Sequence, residues 1–194
     1  MAASDVLAVF PSALGWMAAQ GCGATLKQLV FGHETPESAL RQLDGARALS
    51  VRVGSWNPRL VKRLQAYAEG AKDDFLDVEL DLGRQTPFQR AVVESCRRIG
   101  FGRVMTYGEL AQSAGYPRAA RAVGNVMRTN RIPLIVPCHR VVGSGGAAGG
   151  YSAGEGVRMK LRLLELETVP KKSKKSNAPG LRPGRPHRAA RPNA

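Results

Sequence analysis

A cysteine and a histidine are adjacent in 136-VPCHRVV-142, between an apolar run and the glycine-rich stretch 143-GSGGAAGG-150. A cysteine is nucleophilic only as the thiolate, so its thiol needs a nearby base, cation or helix N-terminus. His139 is the base nearest to Cys138 in sequence, but neighbours on an extended chain point to opposite sides. The pair therefore predicts nucleophilic chemistry only where the backbone turns or a water bridges the two side chains.

A histidine base also needs an acceptor on its second ring nitrogen, which orients the ring and stabilises the imidazolium. The candidate carboxylates that follow in sequence are Glu155, Glu165 and Glu167. Glu165 and Glu167 are about 200° apart around a helix, so they cannot share one face. The structural alternative is a buried cysteine that packs as a small hydrophobe beside a surface histidine. The sequence has no Cys-x-x-Cys or His-x-x-x-His spacing, so we expect no metal site.

Two helices joined by a glycine turn are predicted ahead of this segment. The sequence 106-TYGE-109 fits a capping box and opens a helix over 107–114, which ends at Gly115. Pro117 predicts the start of a second helix over 118–130, which has basic side chains and several small residues. A basic second helix after a short turn is typical of a helix-turn-helix, although many such helix pairs do not bind DNA.

Caps and apolar periodicity predict the remaining elements. We expect strands over 5–10 and 25–31, a strand with a linker over 72–83, and a buried strand over 131–137. Helices are expected from Thr35 to Leu43, from Asn57 to Gly70, from Thr86 with Cys96 on its apolar stripe, and over 157–167 with Val157, Leu161 and Leu164 on one face.

Together these elements predict an α+β protein with two domains and a tail. Residues 1–80 form a small N-terminal α/β domain, residues 81–169 form a mostly helical domain with the helix-turn-helix, and residues 170–194 form a disordered basic tail. The net charge of +14 is concentrated towards the C-terminus, where residues 171–194 hold eight basic and no acidic side chains. This asymmetry favours a polyanionic partner, most simply DNA.

Cysteine content and hydropathy limit where the protein acts. Three scattered cysteines do not form a disulfide framework, which favours a reducing compartment. The sequence has no membrane-spanning stretch and no basic residue ahead of its first apolar run, as a signal peptide would have. We expect a cytoplasmic protein, associated with the nucleoid, or a nuclear one in a eukaryote.

Residues 86–167 resemble the O⁶-alkylguanine-DNA alkyltransferase family. The resemblance rests on six motifs: 87-PFQ-89, 106-TYGELA-111, 119-AARAVGNVMRTN-130, 133-PLIVPCHRVV-142, 149-GGYS-152 and 163-LLELE-167. The first 80 residues are similar to the variable N-terminal domain of the family in 14-LGWMAAQG-21 and 26-LKQLVFGH-33. The resemblance implies single-turnover transfer of an alkyl group from the 6-oxygen of guanine in duplex DNA, with the 4-oxygen of thymine as a second candidate. It also implies base flipping, no cofactor and a monomeric protein.

The resemblance also implies roles for particular residues. Cys138 is the alkyl acceptor, His139 acts as its base through a water, Glu167 orients His139, and Asn130 braces the turn. Two extra residues around 153–156 leave Glu165 as a rival to Glu167. Tyr107 is implied both in catalysis, where it donates towards the purine ring, and in contact with the 3′ phosphate, and Arg121 fills the space left by the flipped nucleotide. The residues implied in the alkyl pocket are Pro133, Val141, Tyr151 and Ser152. The basic side chains of Arg118 and Arg128 are expected to contact phosphates, and the small Ala120 to permit close approach to DNA.

Three other functions remain open on the sequence alone. A non-catalytic binder of alkylated DNA with the same fold would not need Cys138. A helix-turn-helix regulator would leave the motif 137-PCHR-140 unexplained. A cysteine hydrolase would release its product and turn over many times.

Overall fold

The computed structural model describes residues 5–43, 52–53 and 56–168 of the chain. The predicted tail at 170–194 lies outside the described residues. The first part of the chain forms a four-stranded sheet, β1 (Val6–Phe10), β2 (Trp16–Cys22), β3 (Thr25–His33) and β4 (Arg52–Val53). The strand order is β3-β2-β1-β4, with β1 antiparallel to β2, β2 antiparallel to β3, and β1 parallel to β4.

Two helices belong to the same part of the chain, α1 (Pro36–Gln42) and α2 (Pro58–Ala68). Both begin as the sequence predicts, with proline in the first turn after a polar cap. Thr35 accepts from the backbone N–H of Ser38, and Asn57 accepts from that of Leu60. The strands predicted at 5–10 and 25–31 are also confirmed as β1 and β3.

The second part of the chain is mostly helical. It contains α3 (Pro87–Arg97), β5 (Met105–Thr106), α4 (Tyr107–Ser113), α5 (Ala120–Arg128), β6 (Val141–Val142) and α6 (Val157–Thr168). Capping boxes at Thr86 and Thr106 open α3 and α4 as predicted. Cys96 is fully buried on α3, which confirms its predicted place in the core. The two-residue strands β5 and β6 pair in parallel.

Two apolar clusters fill the interior. One joins β-sheet and α2 residues such as Phe31 and Leu64 with Ile132, Ile135 and Leu163 from the second part of the chain. The other lies among α3, α4 and α5 and includes Cys138. The first cluster packs the two parts of the chain against each other, which places α2 close to the segment that holds Cys138. Among the described helices, none is long and apolar enough to cross a membrane.

The strand predicted over 72–83 is wrong. Asp73 and Asp74 accept from the backbone N–H groups of Phe75 and Leu76, and these local bonds fold the chain into turns instead of a ladder. Arg97 donates to three carbonyls of the same segment, those of Phe75, Leu76 and Val78. One isolated β-bridge, between Leu80 and Leu26, pairs this segment with strand β3.

Two predicted helical features also differ from the structure. The helix predicted over 118–130 begins at Ala120, because Arg118 has a left-handed backbone with φ of 77° and Pro117 lies in the preceding turn. On α6, Val157 and Leu161 are exposed, whereas Met159, Lys160, Leu163 and Glu167 are buried. The apolar residues of α6 therefore did not identify its inner face, since two ionisable side chains are buried on it.

Strand β2 was missed by the sequence analysis. Its central residues, 17-MAAQG-21, are buried on both faces, so the strand has no alternating pattern, and Ala and Gly have low strand propensity. Gly21 is required where the strand passes beneath Trp56. A Cβ atom at Gly21 would lie 2.1 Å from Cζ2 of Trp56, whose Nε1 donates to the carbonyl of Gly23 at 2.8 Å.

We therefore expect Gly21→Ala to destabilise the protein by about 1–3 kcal/mol, because the indole must move and its hydrogen bond must break. Urea unfolding followed by tryptophan fluorescence measures this change. Gly100→Ala is the matched control, since a Cβ atom there meets nothing within 4 Å. Equal stability of the two variants would show that the space beneath Trp56 is not restrictive.

Candidate active site

Cys138 is presented by a buried turn rather than by the strand predicted over 131–137. Pro133 and Pro137 supply no N–H to a ladder, and Leu134 has a left-handed φ of 72°. The segment closes on itself through a bond from the N–H of Val136 to the carbonyl of Ile132, at 2.9 Å. The segment is buried, as predicted, but it is not a strand.

Asn130 fastens this turn to Cys138. Its Oδ1 accepts from the N–H of Ile132 at 3.0 Å, and its Nδ2 donates to the carbonyl of Val136 at 2.8 Å. The same Nδ2 lies 3.1 Å from Sγ of Cys138, within hydrogen-bond distance for a sulfur acceptor. One amide therefore fixes the backbone of the turn and stabilises negative charge on the sulfur.

Cys138 is 6% exposed. Burial raises the pKa of its thiol above the ordinary value, although the Asn130 hydrogen bond and the charge of Lys160 act in the opposite direction. The resting group at neutral pH is therefore the thiol, and nucleophilic attack requires a base that removes its proton.

Residues Cys138–Arg140 form one turn of 3-10 helix, which supplies the change of direction that the adjacent pair requires. His139 is fully buried, and its Nε2 lies 3.0 Å from Oε1 of Glu167. Within the described part of the chain, no group forms a hydrogen bond with Nδ1 of His139. Burial lowers the pKa of His139, although Glu167 opposes that shift, so the ring is neutral at neutral pH.

The structure places Glu167 on the buried face of α6 beside His139, and it leaves Glu165 and Glu155 exposed. Burial alone would raise the pKa of Glu167. The hydrogen bonds from His139 and Arg140 outweigh that effect and lower the pKa to about 2. Glu167 is therefore ionised throughout the neutral range.

Three further residues of the site were missed by the sequence analysis. Arg140 is 1% exposed and donates to Glu167 through Nε, at 3.1 and 3.0 Å to the two carboxylate oxygens, and through Nη2 at 2.7 Å. Tyr67 on α2 also donates to Oε1 of Glu167. Lys160 is buried on α6, and its Nζ donates to the carbonyl of Val141 at 2.5 Å. The arginine inside the apolar sequence 136-VPCHRVV-142 could have indicated a buried acidic partner. The sequence around Tyr67 and Lys160 has no comparable signal.

A cavity of about 450 Å³ opens beside Cys138. Five of the predicted site residues line it, namely Tyr107, Arg128, Cys138, Tyr151 and Ser152. The small residues Gly124 and Gly150 also line it. Tyr107 and Tyr151 form its aromatic walls, and the hydroxyl of Tyr151 is buried. A pocket of this volume with a sulfur and aromatic walls is large enough for one purine base.

Several other predicted residues lie outside this cavity. Val141 is fully buried in the apolar cluster around Cys138, and Pro133 lines a neighbouring cavity instead. Arg118 is exposed in the turn before α5, and Arg121 is exposed on the first turn of α5. Ala120, at the start of the helix, is half-buried. Neither Pro133 nor Val141 lines the cavity beside Cys138, and their assignment to the alkyl pocket stays a prediction.

No group of three or more His, Cys, Asp or Glu side chains is arranged as metal ligands within residues 5–43 and 56–168. The groups that the structure places around Cys138 are its buried thiol, the neutral imidazole of His139 and the ionised carboxylate of Glu167.

Comparison with known proteins identifies the family. Residues 87–169 match the model of the 6-O-methylguanine DNA methyltransferase DNA-binding domain. The methylated-DNA–protein-cysteine methyltransferase of Mycobacterium leprae is 41% identical over 145 residues, which span 72% of this chain and 84% of the relative. The chain belongs to the methylated-DNA–protein-cysteine methyltransferase family.

Two further members of this family show how far the similarity extends. The enzyme of that name from Mycobacterium tuberculosis is 49% identical over 107 residues, but these span only 62% of its length and 55% of this chain. A crystal structure of Mycobacterium tuberculosis OGT in complex with DNA has a TM-score of 0.68 at 36% identity, covering 84% of this chain and 92% of that chain. The family resemblance predicted from the sequence is confirmed.

Ionised Glu167 predicts acid-sensitive folding. Its pKa of about 2 lies below the ordinary value of 4.5, so the carboxylate stabilises the fold by about 3 kcal/mol above pH 4.5. That contribution is lost as the pH falls towards about 2. His139 acts in the same direction at higher pH, because its lowered pKa makes protonation favour the unfolded chain.

The comparison of Glu167→Gln with Glu165→Gln isolates this contribution. We expect Glu167→Gln to be less stable at pH 7 and to have a flatter dependence of unfolding free energy on pH between about pH 5 and 2. Glu165→Gln should follow the parent protein, since Glu165 is exposed. Urea unfolding at a series of pH values measures both curves, and the same slope in all three proteins would contradict the buried charge.

Proposed function

We propose that this protein repairs DNA by transferring a methyl or other alkyl group from the 6-oxygen of guanine in duplex DNA to Cys138. The observation that supports the proposal most strongly is the buried thiol of Cys138 at the wall of a purine-sized cavity, next to a histidine and an ionised carboxylate. The related structure in complex with DNA supports the choice of substrate.

In the proposed reaction, the sulfur of Cys138 attacks the alkyl carbon and the bond from that carbon to the guanine oxygen breaks. His139 accepts the thiol proton through a bound water. Tyr107 donates a proton to the departing guanine, which leaves in its neutral form, and the proton on His139 returns to Tyr107 through solvent. The negative charge that develops on the sulfur meets the Nδ2 group of Asn130 and the charge of Lys160. Glu167 orients His139 and stabilises its imidazolium.

The proposal also explains the surface around the cavity. A base inside a duplex hides its modified oxygen, so the protein must flip the nucleotide at a cost of a few kcal/mol. We assign α4 and α5 to a helix-turn-helix that docks on DNA, with the small residue Ala120 permitting close approach. Arg121 fills the space that the flipped base leaves, and Arg118 and Arg128 contact phosphates. Tyr107 stands between this surface and the pocket.

We further assign residues 1–80 to a supporting domain and residues 81–169 to DNA binding and alkyl transfer. The apolar cluster that joins Phe31 and Leu64 with Ile135 and Leu163 supports two domains packed against each other. A monomer is sufficient for this arrangement. Because the proposed substrate is chromosomal DNA, we also propose that the protein acts at the nucleoid in the cytoplasm of a bacterium, or in the nucleus of a eukaryote.

The protein should be consumed by its own reaction, with one alkyl group per chain on Cys138. A thioether has no good leaving group for a second step, so excess methylated duplex should yield one equivalent of product and no more. Intact-protein and peptide mass spectrometry measure the added methyl mass and its position. Cys138→Ala should remain unmodified, and Cys96→Ala is the matched control that should react like the parent protein.

Transfer that continues well beyond one equivalent, or that survives in Cys138→Ala, would falsify this function. A released product with many turnovers would instead indicate a cysteine hydrolase. Binding of alkylated DNA without any added mass would indicate a non-catalytic binder. The 4-oxygen of methylated thymine is tested in the same assay as a second substrate.

Arg121→Ala should slow repair of duplex DNA by about tenfold and leave transfer from free O⁶-benzylguanine within about twofold. The free base needs no flipped state, so only the duplex reaction depends on the exposed side chain of Arg121. Single-turnover rates on both substrates measure the difference. Arg59→Ala, at an exposed position of α2, is the control for loss of one positive charge, and equal losses on both substrates in Arg121→Ala would exclude the flipping role.

A further inference from the structure

Tyr67 brings a phenol hydroxyl from the first part of the chain into the buried network of His139 and Glu167. Its side chain is fully buried on α2, and its hydroxyl donates to Oε1 of Glu167, 100 residues away in sequence. The hydroxyl oxygen of Tyr67 also lies 3.3 Å from Nε2 of His139. Tyr67 lies outside residues 87–169, the segment that matches the family's DNA-binding domain.

The carboxylate of Glu167 is saturated with donors. Oε1 accepts from Tyr67, His139 and Arg140, while Oε2 accepts from Arg140 and from the N–H of Gly102 at 3.0 Å. An ionised carboxylate can only accept, so Nε2 of His139 must carry the hydrogen in this contact. The lone pair of His139 is then on Nδ1, where it is available to take a proton.

Packing fixes the ring of Tyr67 independently of its hydroxyl. The ring centroid lies 5.6 Å from that of Phe75 and 5.9 Å from that of Phe101, with an edge-to-face angle of 87° to Phe101. Burial and the charge of Glu167 raise the pKa of Tyr67 well above its ordinary value, so the phenol stays protonated and remains a donor. A phenylalanine at this position would retain the packing and remove only the hydroxyl.

We propose that Tyr67 is a positioning residue for alkyl transfer. Its hydroxyl reduces the basicity of the Glu167 carboxylate, and this keeps His139 neutral and able to accept the proton of Cys138. The inference rests on the function proposed above. Each donor on Oε1 reduces the basicity of the carboxylate. Without the Tyr67 hydroxyl, Glu167 stabilises the imidazolium more strongly and His139 holds its proton to higher pH.

The other groups around His139 define what else sets its protonation. They come from three elements and the adjoining loop: Arg140 and Cys138 in its own turn, Glu167 and Lys160 on α6, Tyr67 on α2, and Tyr151 in the loop before α6. Arg140 and Lys160 disfavour the imidazolium, and Glu167 favours it. Tyr67 is uncharged and acts on His139 mainly through Glu167.

The test measures how the single-turnover rate depends on pH, with free O⁶-benzylguanine as the substrate so that DNA binding does not contribute. In Tyr67→Phe we expect the midpoint of the acidic limb to rise by about half to one pH unit. The loss of rate should be confined to pH values around and below this midpoint, because His139 is neutral in both proteins at higher pH. Replacing Tyr67 with 3-fluorotyrosine, a phenol of lower pKa and a stronger donor, should move the midpoint down instead.

NMR titration of labelled imidazole gives a readout that does not depend on activity. The chain has three histidines, so the His139 signal is assigned by comparison with a His139→Gln sample. Its pKa should rise in Tyr67→Phe and fall with 3-fluorotyrosine. Tyr116→Phe is the matched control, because Tyr116 lies at the surface against Phe88 and should change neither value.

A uniform loss of rate at every pH, with the His139 titration unmoved in both Tyr67 variants, would show that Tyr67 is only structural and would overturn the inference. Thermal melting of each variant accompanies the assay. If Tyr67→Phe does not fold, the 3-fluorotyrosine protein decides the question alone, since it keeps the size of the ring. A parent protein that transfers no alkyl group would reject the proposed function instead, whereas the NMR arm would still report on the link between Tyr67 and His139.

Discussion

The active site depends on one buried negative charge, the carboxylate of Glu167. Removing an isolated carboxylate from water costs several kcal/mol, so the fold must surround it with donors or the group would take up a proton. The donors come from separated parts of the chain: Tyr67 on α2, Gly102 after α3, and His139 and Arg140 in the turn after Cys138. These hydrogen bonds therefore hold α2, the loop after α3 and the turn bearing Cys138 against α6.

The thiol of Cys138 is protonated at rest, whereas the groups around it are already arranged to stabilise a thiolate. Burial keeps Cys138 protonated at neutral pH, although Asn130 and Lys160 are already placed to stabilise an anion. A thiol that is not ionised at rest is less exposed to oxidation, which proceeds through the thiolate. In the proposed reaction, charge appears on sulfur only when the proton leaves towards His139, so the nucleophile forms where the substrate is bound.

Local signals predicted the helices well and the site only in part. Capping residues at Thr35, Thr86 and Thr106 act within one turn of chain, so the sequence shows them directly. The strand β2 and the turn over 131–137 were missed or wrong because tertiary burial and proline geometry decide them. Cys138, His139, Asn130 and Glu167 were predicted because they belong to motifs. Tyr67 could not be predicted, since its partner is 100 residues away and nothing in 58-PRLVKRLQAYA-68 indicates a polar contact.

The residues that violate the usual rule of burial are those around the reacting atoms. Arg140 and Lys160 are almost completely buried, although arginine and lysine are normally exposed. Arg140 is neutralised by Glu167. Lys160 donates to the carbonyl of Val141 and lies over the ring of Tyr107, but no carboxylate pairs with it in the described structure, and burial lowers its pKa. A cation with so little compensation raises the free energy of the resting site and gains a partner when the sulfur becomes an anion. In the proposed reaction, the stability that the fold loses at Lys160 is recovered in the charged state of Cys138, which favours the reacting state over the resting state.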